Sequence, residues 1–213
     1  MLPDKRPAIV FDVGNVLLGW DPRFLYRKLF GGNEEAMERF LADFDFNAWN
    51  QQQDRGRSFA EGVAEACCQY PQYCELIRQY DRRYEESLSG PIAGTVEILT
   101  DLQHQGFALF ALSNWSAEKF HLVRPRYAFF DCFQAIIISG EVGLVKPDLS
   151  IFQLLLDKIG RPASDCLLID DSQKNCQVAA SLGIQVIQFE SPPVLRLALA
   201  RHGILLSKPL TAV

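Results

Sequence analysis

A doubly wound α/β fold, a parallel sheet covered by helices on both faces with an all-helical insert after its first strand, is predicted by three observations. Five short runs of the 213-residue chain are almost continuously apolar, the pattern of parallel strands buried on both faces. Amphipathic stripes alternate with those runs through the second half, the order that yields right-handed strand–helix–strand crossovers. One long stretch, residues 19–89, breaks the alternation with helical patterns and no convincing strand.

Taken in order, residues 8–12 are the first strand. Within the insert, Asn33 is placed to cap a helix running through Leu41, and Ser58 with Glu61 forms an S-x-x-E capping box ahead of Val63 and Cys67. Pro91, after Ser89 and Gly90, returns the chain to the sheet. The expected division is a core of residues 1–18 and 90–213 and a helical cap of residues 19–89. A helix over 95–105 turns Val96, Leu99 and Leu102 inward and ends at Gly106. Strands follow at 107–112 and 135–138. Residues 150–159 carry Phe152, Leu155, Leu156 and Ile159 at the i, i+3, i+4, i+7 spacing and stop at Gly160. A strand at 166–169, a helix at 173–182 ending before Gly183, and a strand at 184–189 complete the core.

Composition narrows the function. With 48% hydrophobic residues, 22% charged and 15 Phe, most of the chain is excluded from disorder, and a core of this size needs no disulfide or structural metal. Lys and Arg number 21 against 26 Asp and Glu, a net charge of −5 without a basic block; nucleic acid and anionic membrane are therefore poor partners. No apolar run approaches the ~18 residues of a membrane span, and residues 1–7 lack a signal-peptide core. The six cysteines (Cys67, Cys68, Cys74, Cys132, Cys166 and Cys176) show neither CxxC spacing nor the density of a disulfide scaffold. Cys166 in an apolar strand and Cys67 on an apolar helix face read as small core hydrophobes. The expected setting is the reducing cytoplasm, with a small-molecule partner and a monomer or homodimer.

In open α/β sheets ligands bind outside the carboxyl ends of the strands. At those ends stand Asp12-Val13-Gly14-Asn15-Val16, Ser113-Asn114 and Asp170-Asp171-Ser172, and the stretch after the third strand contains Lys146-Pro147. Three carboxylates brought together call for a cation, and hard oxygen donors suit Mg²⁺. Ser113 and nearby backbone amides can donate to phosphate oxygens, while Lys146 adds a fixed positive charge. A carboxylate nucleophile, a metal and a lysine around one anion describe phosphoryl transfer through an aspartyl-phosphate.

These residues resemble the haloacid dehalogenase-like (HAD) hydrolases over essentially the whole chain. The family's four motifs appear in order as Phe11-Asp12, Ser113-Asn114, Lys146-Pro147 and Asp170-Asp171. The resemblance implies a Rossmann-like core with a helical cap, and Asp12 as nucleophile. It implies Mg²⁺ held by Asp12, the Gly14 carbonyl and Asp171, with Asp170 direct or through water. Ser113 and Lys146 would hold the transferring phosphoryl group, making Asp12, Ser113 and Lys146 the catalytic set. Ser113, Asn114 and Lys146, with Trp20 and Asp21 from the cap, would bind substrate, and residues 50–55 are further candidates for contact. Where the family's phosphatases usually carry a second Asp as general acid and base, this chain has Gly14. The Asp-x-Gly-Asn-Val form is similar to a subgroup that includes glucose 1-phosphate phosphatases, so a sugar phosphate is one expected substrate. The missing proton donor is then water, substrate or a cap residue such as Asp21.

Each residue also has a plainer reading. Asp12 could end a turn, Ser113 or Ser116 could cap the next helix, Lys146 could be a solvated charge, and Asp171 could cap the helix at 173. Trp115 is expected mainly to pack between core and cap. His104, His121 and His202 receive no catalytic role, and Arg82-Arg83 reads as a solvated face. Two rival functions share the fold: a metal-free 2-haloacid dehalogenase, disfavoured by the acidic pair, and a pseudoenzyme that acts by binding, left open by Gly14.

Overall fold

The computed structural model describes residues 6–207. A five-stranded sheet has the order β5-β4-β1-β6-β7, with β1 (Ala8–Phe11), β4 (Leu109–Ser113), β5 (Ala135–Ile138), β6 (Cys166–Asp170) and β7 (Gln185–Gln188). All four pairings are parallel. The chain winds outward from β1 through β4 to β5, then returns to the other side of β1 for β6 and β7. The order therefore reverses between β1 and β6, which is where such sheets open a crevice for ligands.

Strand pleating splits the core in two. Ile9 and Phe11 of β1 join one buried cluster, whereas Ala8 and Val10 join the other, because successive side chains point to opposite faces. The second cluster is closed by Ile151, Phe152 and Leu155 of α9 (Leu149–Ile159) and Ala179 of α10 (Gln173–Ser181). The first is closed by Ile98, Leu99 and Leu102 of α6 (Ala93–His104), and by Leu195 and Leu199 of α11 (Pro192–Arg201). Strand and helix limits differ by one or two residues from the sequence expectations, as is usual at fraying ends.

Between β2 (Leu18–Trp20) and β3 (Leu88–Pro91) lie five helices: α1 (Pro22–Leu29), α2 (Glu34–Asp43), α3 (Phe46–Asp54), α4 (Phe59–Gln69) and α5 (Cys74–Arg82). They enclose an aromatic core. Tyr80, fully buried, meets Phe46 at 4.9 Å and Trp49 at 6.0 Å between ring centroids, and Tyr26 meets Phe40 edge-on at 4.9 Å. Such pairs add about 0.5–1.5 kcal/mol each beyond area burial. Asn33 and Ser58 cap α2 and α4 as their sequence context predicts, and both hydrogen bonds of the capping box with Glu61 form.

Two expectations for this segment are corrected. It is not free of strand: β2 and β3 pair antiparallel as a two-stranded ribbon. Three- and four-residue strands carry too little periodicity to be read from the sequence. The ribbon is tight at Gly19, where a β-carbon would sit 2.1 Å from Ser89 Oγ. Nor is Cys67 a core hydrophobe. The turn after α4 folds α5 back until the Cα atoms of Cys67 and Cys74 lie 4.5 Å apart, and the two form a disulfide. That pair no longer supports the cysteine argument for a reducing compartment; Cys166 is buried and free, as expected.

Two short helices, α7 (Ala117–Val123) and α8 (Ser139–Val142), follow β4 and β5. Among the described residues, no helix is long and apolar enough to cross a membrane. The reading of residues 1–7 falls mostly outside the described residues. Removing the Ser58 cap with Ser58→Ala should destabilise the protein by about 1 kcal/mol, measured as a lower midpoint in urea with an unchanged slope.

Candidate active site

The sheet places the acidic residues side by side. Phe11 pairs with Ile169, so the next residues, Asp12 and Asp170, emerge together at the carboxyl ends of neighbouring strands. The Asp12 amide donates to the Ile169 carbonyl at 2.8 Å, and Asp12 Oδ1 accepts from the Val13 amide at 2.7 Å. Ser113 ends β4 on the other side of β1.

Lys146 ties the carboxylates together. Its Nζ lies 2.9 Å from Asp12 Oδ2 and 2.7 Å from Asp170 Oδ2, with the lysine only 2% exposed. Burial disfavours the charged amine, but attraction from Asp12 and Asp170 outweighs it and raises the lysine pKa. Burial and repulsion from the other acids push Asp12 up to about 7, against the pull of Lys146. Burial and Asp170 also raise Asp171, whose side chain is nevertheless the exposed member of the trio.

The loops are held by side chains the sequence reading did not single out. Asn175 Nδ2 donates to Asp170 Oδ1 at 2.9 Å and to Oδ2 at 3.1 Å, and the Ser172 amide donates to Oδ1 at 2.9 Å. Asp170 is thus saturated by protein donors. Ser139 Oγ accepts from the Trp115 amide at 2.9 Å, and the Gly140 amide donates to the Trp115 carbonyl at 3.0 Å. Any β-carbon at Gly140 would meet Ala117 N at 2.5 Å, so only glycine permits this approach. Asn114 spans the second and third motifs: its Nδ2 donates to the Lys146 carbonyl and its Oδ1 accepts from the Lys146 amide, both at 2.8 Å. The Lys146–Pro147 peptide is cis.

A cavity of about 190 Å³ adjoins this cluster at Gly14, Ser113 and Asn114. Its sheet side is made by Gly14, Ser113, Asn114 and Trp115; its other side by Leu18, Trp20, Asn50, Asp54, Tyr84 and Leu88. Trp20 reaches it while donating from Nε1 to Tyr80 Oη at 3.3 Å. Trp115 both lines the cavity and packs edge-on with Phe120 at 5.6 Å, so packing and lining coexist.

Asp21 is the clear departure among the expected substrate contacts. Its carboxylate caps α1, accepting from the Arg23 amide at 2.8 Å, and it is not part of the cavity wall. A proline following Asp21 at the first helical position was the signal for that cap. Ser172, not Asp171, caps α10. Ser116 precedes α7 without a side-chain capping bond. His121 and His202 are engaged by Glu141 and Gln185 away from the cavity. Asp54 belongs to the residues 50–55 expected near substrate, but no role was foreseen for it.

The donor chemistry suits a hard cation. Oxygens of Asp12, Asp170 and Asp171 all lie within 4.8 Å of one another, and a single lysine leaves a negative excess among three acids. Asp12, Asp171 and the Gly14 carbonyl are the donors left for an octahedral Mg²⁺ that retains waters; Asp170, occupied by Lys146 and Asn175, suits the outer shell.

Comparison with known proteins agrees with this geometry. The family model for haloacid dehalogenase-like hydrolases matches residues 35–189, more than half of the chain. The chain is 25% identical over 185 residues to sesquiterpene phosphatase astK of Aspergillus oryzae, covering 83% of this chain and 86% of that protein. It is 24% identical over 194 residues to drimenol cyclase drtB of Aspergillus calidoustus, but spans only 34% of that protein's length. A HAD family enzyme of Bacteroides thetaiotaomicron, solved in complex with magnesium and inorganic phosphate, has the same fold. The TM-score is 0.66 over 87% of this chain and 95% of that one, at 23% identity.

Breaking the ion pairs from the lysine side leaves Asp12 and Asp170 buried without their cation. Lys146→Met should therefore cost about 3 kcal/mol of stability at pH 7.5 in EDTA. The deficit should shrink as acid protonates the carboxylates, read from urea midpoints at pH 7.5 and pH 5.

Proposed function

The chain belongs to the haloacid dehalogenase-like hydrolases, and from that membership we propose that it is a Mg²⁺-dependent phosphatase acting on a small, largely apolar phosphate monoester. The observation that carries this reading is the trio of Asp12, Asp170 and Asp171 with one buried lysine, at the strand ends from which an aromatic cavity starts at Gly14 and Ser113. Such a floor attracts a cation and, with it, a phosphoryl group. The walls, Leu18, Trp20, Tyr84, Leu88 and Trp115, accept an organic body rather than a row of hydroxyls.

The sugar phosphate expected from the Asp-x-Gly-Asn-Val motif is less well served. Asn114 is tied to the Lys146 backbone and the Trp20 indole to Tyr80, which leaves Asn50, Asp54, Tyr84 and Trp115 as polar wall residues beyond Ser113, few for a ring with several hydroxyls, each needing a partner once buried. The similarity to a sesquiterpene phosphatase supports the same choice. The acidic pair weighs against the metal-free dehalogenase, which has no need of a second cation-binding carboxylate.

Asp12 attacks phosphorus, the P–O bond to the leaving group breaks, and an aspartyl-phosphate forms. Its attacking carboxylate is oriented by the Val13 amide at one oxygen and Lys146 at the other. Ser113 Oγ donates to a phosphoryl oxygen, and Lys146 balances charge as it builds there. Asn175 and the Ser172 amide keep Asp170, and through it Lys146, in place. Asp12, Asp171 and the Gly14 carbonyl would hold Mg²⁺, which when bound would neutralise the acids and stabilise the phosphoryl oxygens as a Lewis acid. Residues 19–89 act as a cap, closing the cavity against bulk water so that these interactions operate at low dielectric.

Phosphate release from a panel of monoesters tests this. Wild-type turnover should vanish in EDTA and return with Mg²⁺, and Asp12→Asn should lower it by at least about 10³-fold. Alkyl and prenyl phosphates should surpass glucose 1-phosphate in kcat/KM. Trp20→Ala should raise KM for the apolar esters by about tenfold, on the order of one lost apolar contact. Wild-type rates no higher than those of Asp12→Asn on every ester would favour the binding-only reading.

A further inference from the structure

We propose that Asp54, on the helical segment, is the general acid and base of this active site, taking over the task that the residue two positions after the nucleophile cannot perform here. The inference rests on the phosphatase reading of the site. At position 14 the chain has glycine, and no heavy atom lies within 4 Å of where its β-carbon would be. The position opens on the cavity, and the space an acid would fill there is empty. Asp54, at the last turn of α3, lines the same cavity from the opposite side.

The surroundings of Asp54 suit a carboxylic acid that keeps its proton near neutrality. Asn50 Nδ2 donates to its Oδ2 at 3.2 Å. No Lys, Arg or His among the described residues forms an ion pair with it. The titratable groups that feel its charge are the buried phenols of Tyr80 and Tyr84. Charges on the packed elements are engaged elsewhere: Arg55 with Asp148, Arg57 with Glu65, Lys119 with Asp81, Glu141 with His121. Glu118 accepts from the Phe59 amide. Burial pushes Asp54 up to about 7, against a smaller pull from the Ser116 backbone. A proton donor is most effective when its pKa lies near the working pH.

Other residues are committed. Asp21 is a helix cap and Lys146 bridges two carboxylates. Asp171 is the exposed member of the acidic trio, and His121 and His202 lie off the cavity.

In the first step Asp12 forms a bond to phosphorus, the ester P–O bond breaks, and the departing oxygen takes the proton of Asp54, leaving alcohol, aspartyl-phosphate and Asp54 carboxylate. In the second, water gives a proton to Asp54 while its oxygen bonds to phosphorus. The bond from Asp12 to phosphorus breaks, and hydrogen phosphate leaves with both aspartates restored.

Asp54→Asn, assayed as the full chain with Mg²⁺, tests this against wild type and Asp12→Asn. On an n-alkyl phosphate, whose alkoxide leaves poorly, kcat/KM should fall about 10²–10⁴-fold. On p-nitrophenyl phosphate, whose leaving group needs little protonation, the fall in the step that phosphorylates Asp12 should stay below about tenfold, read from the nitrophenolate burst. The alkaline limb of the alkyl-phosphate profile near pH 7 should disappear. Gly14→Asp in the Asp54→Asn background should recover at least about tenfold on the alkyl ester. Folding is checked separately. Because the Asp54 pKa is higher in the folded chain than its ordinary value of 3.8, wild type loses stability as pH rises from about 4 to 7. Asp54→Asn should lose less, because Asp12 and Asp171 keep their raised values in it, so its melting temperature should rise relative to that of wild type as pH increases across that window. Equal losses on both esters with the alkaline limb intact would overturn the proposal while leaving the phosphatase reading standing. Absence of wild-type turnover above Asp12→Asn would overturn both.

Discussion

One buried ammonium group is the constraint on which the site depends. Three carboxylates at adjoining strand ends repel one another, and burial alone would force protons onto them. Lys146 opposes this at Asp12, and it contacts Asp12 and Asp170 at once. A lysine can do so only if its own loop is fixed, and Asn114 fixes it with two hydrogen bonds to the Lys146 backbone. The sheet register supplies the remaining order, since Phe11 opposite Ile169 makes Asp12 and Asp170 neighbours whatever the loops do. Position is set by strands, charge by one lysine, and both by residues far apart in the chain.

The cavity depends on a different set of contacts, between the helical segment and the core. Lys119 of α7 reaches Asp81 at 2.6 Å and lies 4.2 Å over the Phe59 ring, while Glu118 accepts from the Phe59 amide. Arg55 meets Asp148 at 3.3 Å, and Arg126 meets Glu85 at 2.7 Å. Most of these pairs are solvent-exposed and worth little individually. Lys119 is the exception, at 7% exposure. A segment joined to the core by one narrow ribbon, with mostly weak latches around one stronger contact, is suited to opening and closing over a bound ester.

The parallel core was legible because continuous apolar runs and helix stripes are dense, local signals, and the positions of Asp12, Ser113, Lys146 and Asp170 followed from topology once the strands were placed. The supports were not legible. Asn175, Ser139 and Gly140 act through contacts with partners 5, 24 and 25 positions away, and nothing in their neighbours announces those contacts. The ribbon of β2 and β3 was missed because strands of three and four residues have no measurable period. Asp21 was misread in role for the opposite reason: its local capping signal, the following proline, was outweighed by its place near the start of the insert. Cys67 looked like a core residue because helix periodicity cannot show that α5 returns to meet it.

Gly14 gives these observations a common direction. With an acid on the loop after β1, proton transfer would be available whether or not the helical segment was docked. With glycine there and Asp54 on α3, a proton donor reaches the ester only when Arg55, next in sequence, is held near Asp148 and α3 lies against α8. Burial of Asp54 in this arrangement is what raises its pKa to about 7. The aromatic walls contribute to both effects, accepting an apolar leaving group and raising the acid beside it. Closure, substrate choice and proton transfer then depend on one surface, and an unbound, open enzyme would lack both the cavity and its acid.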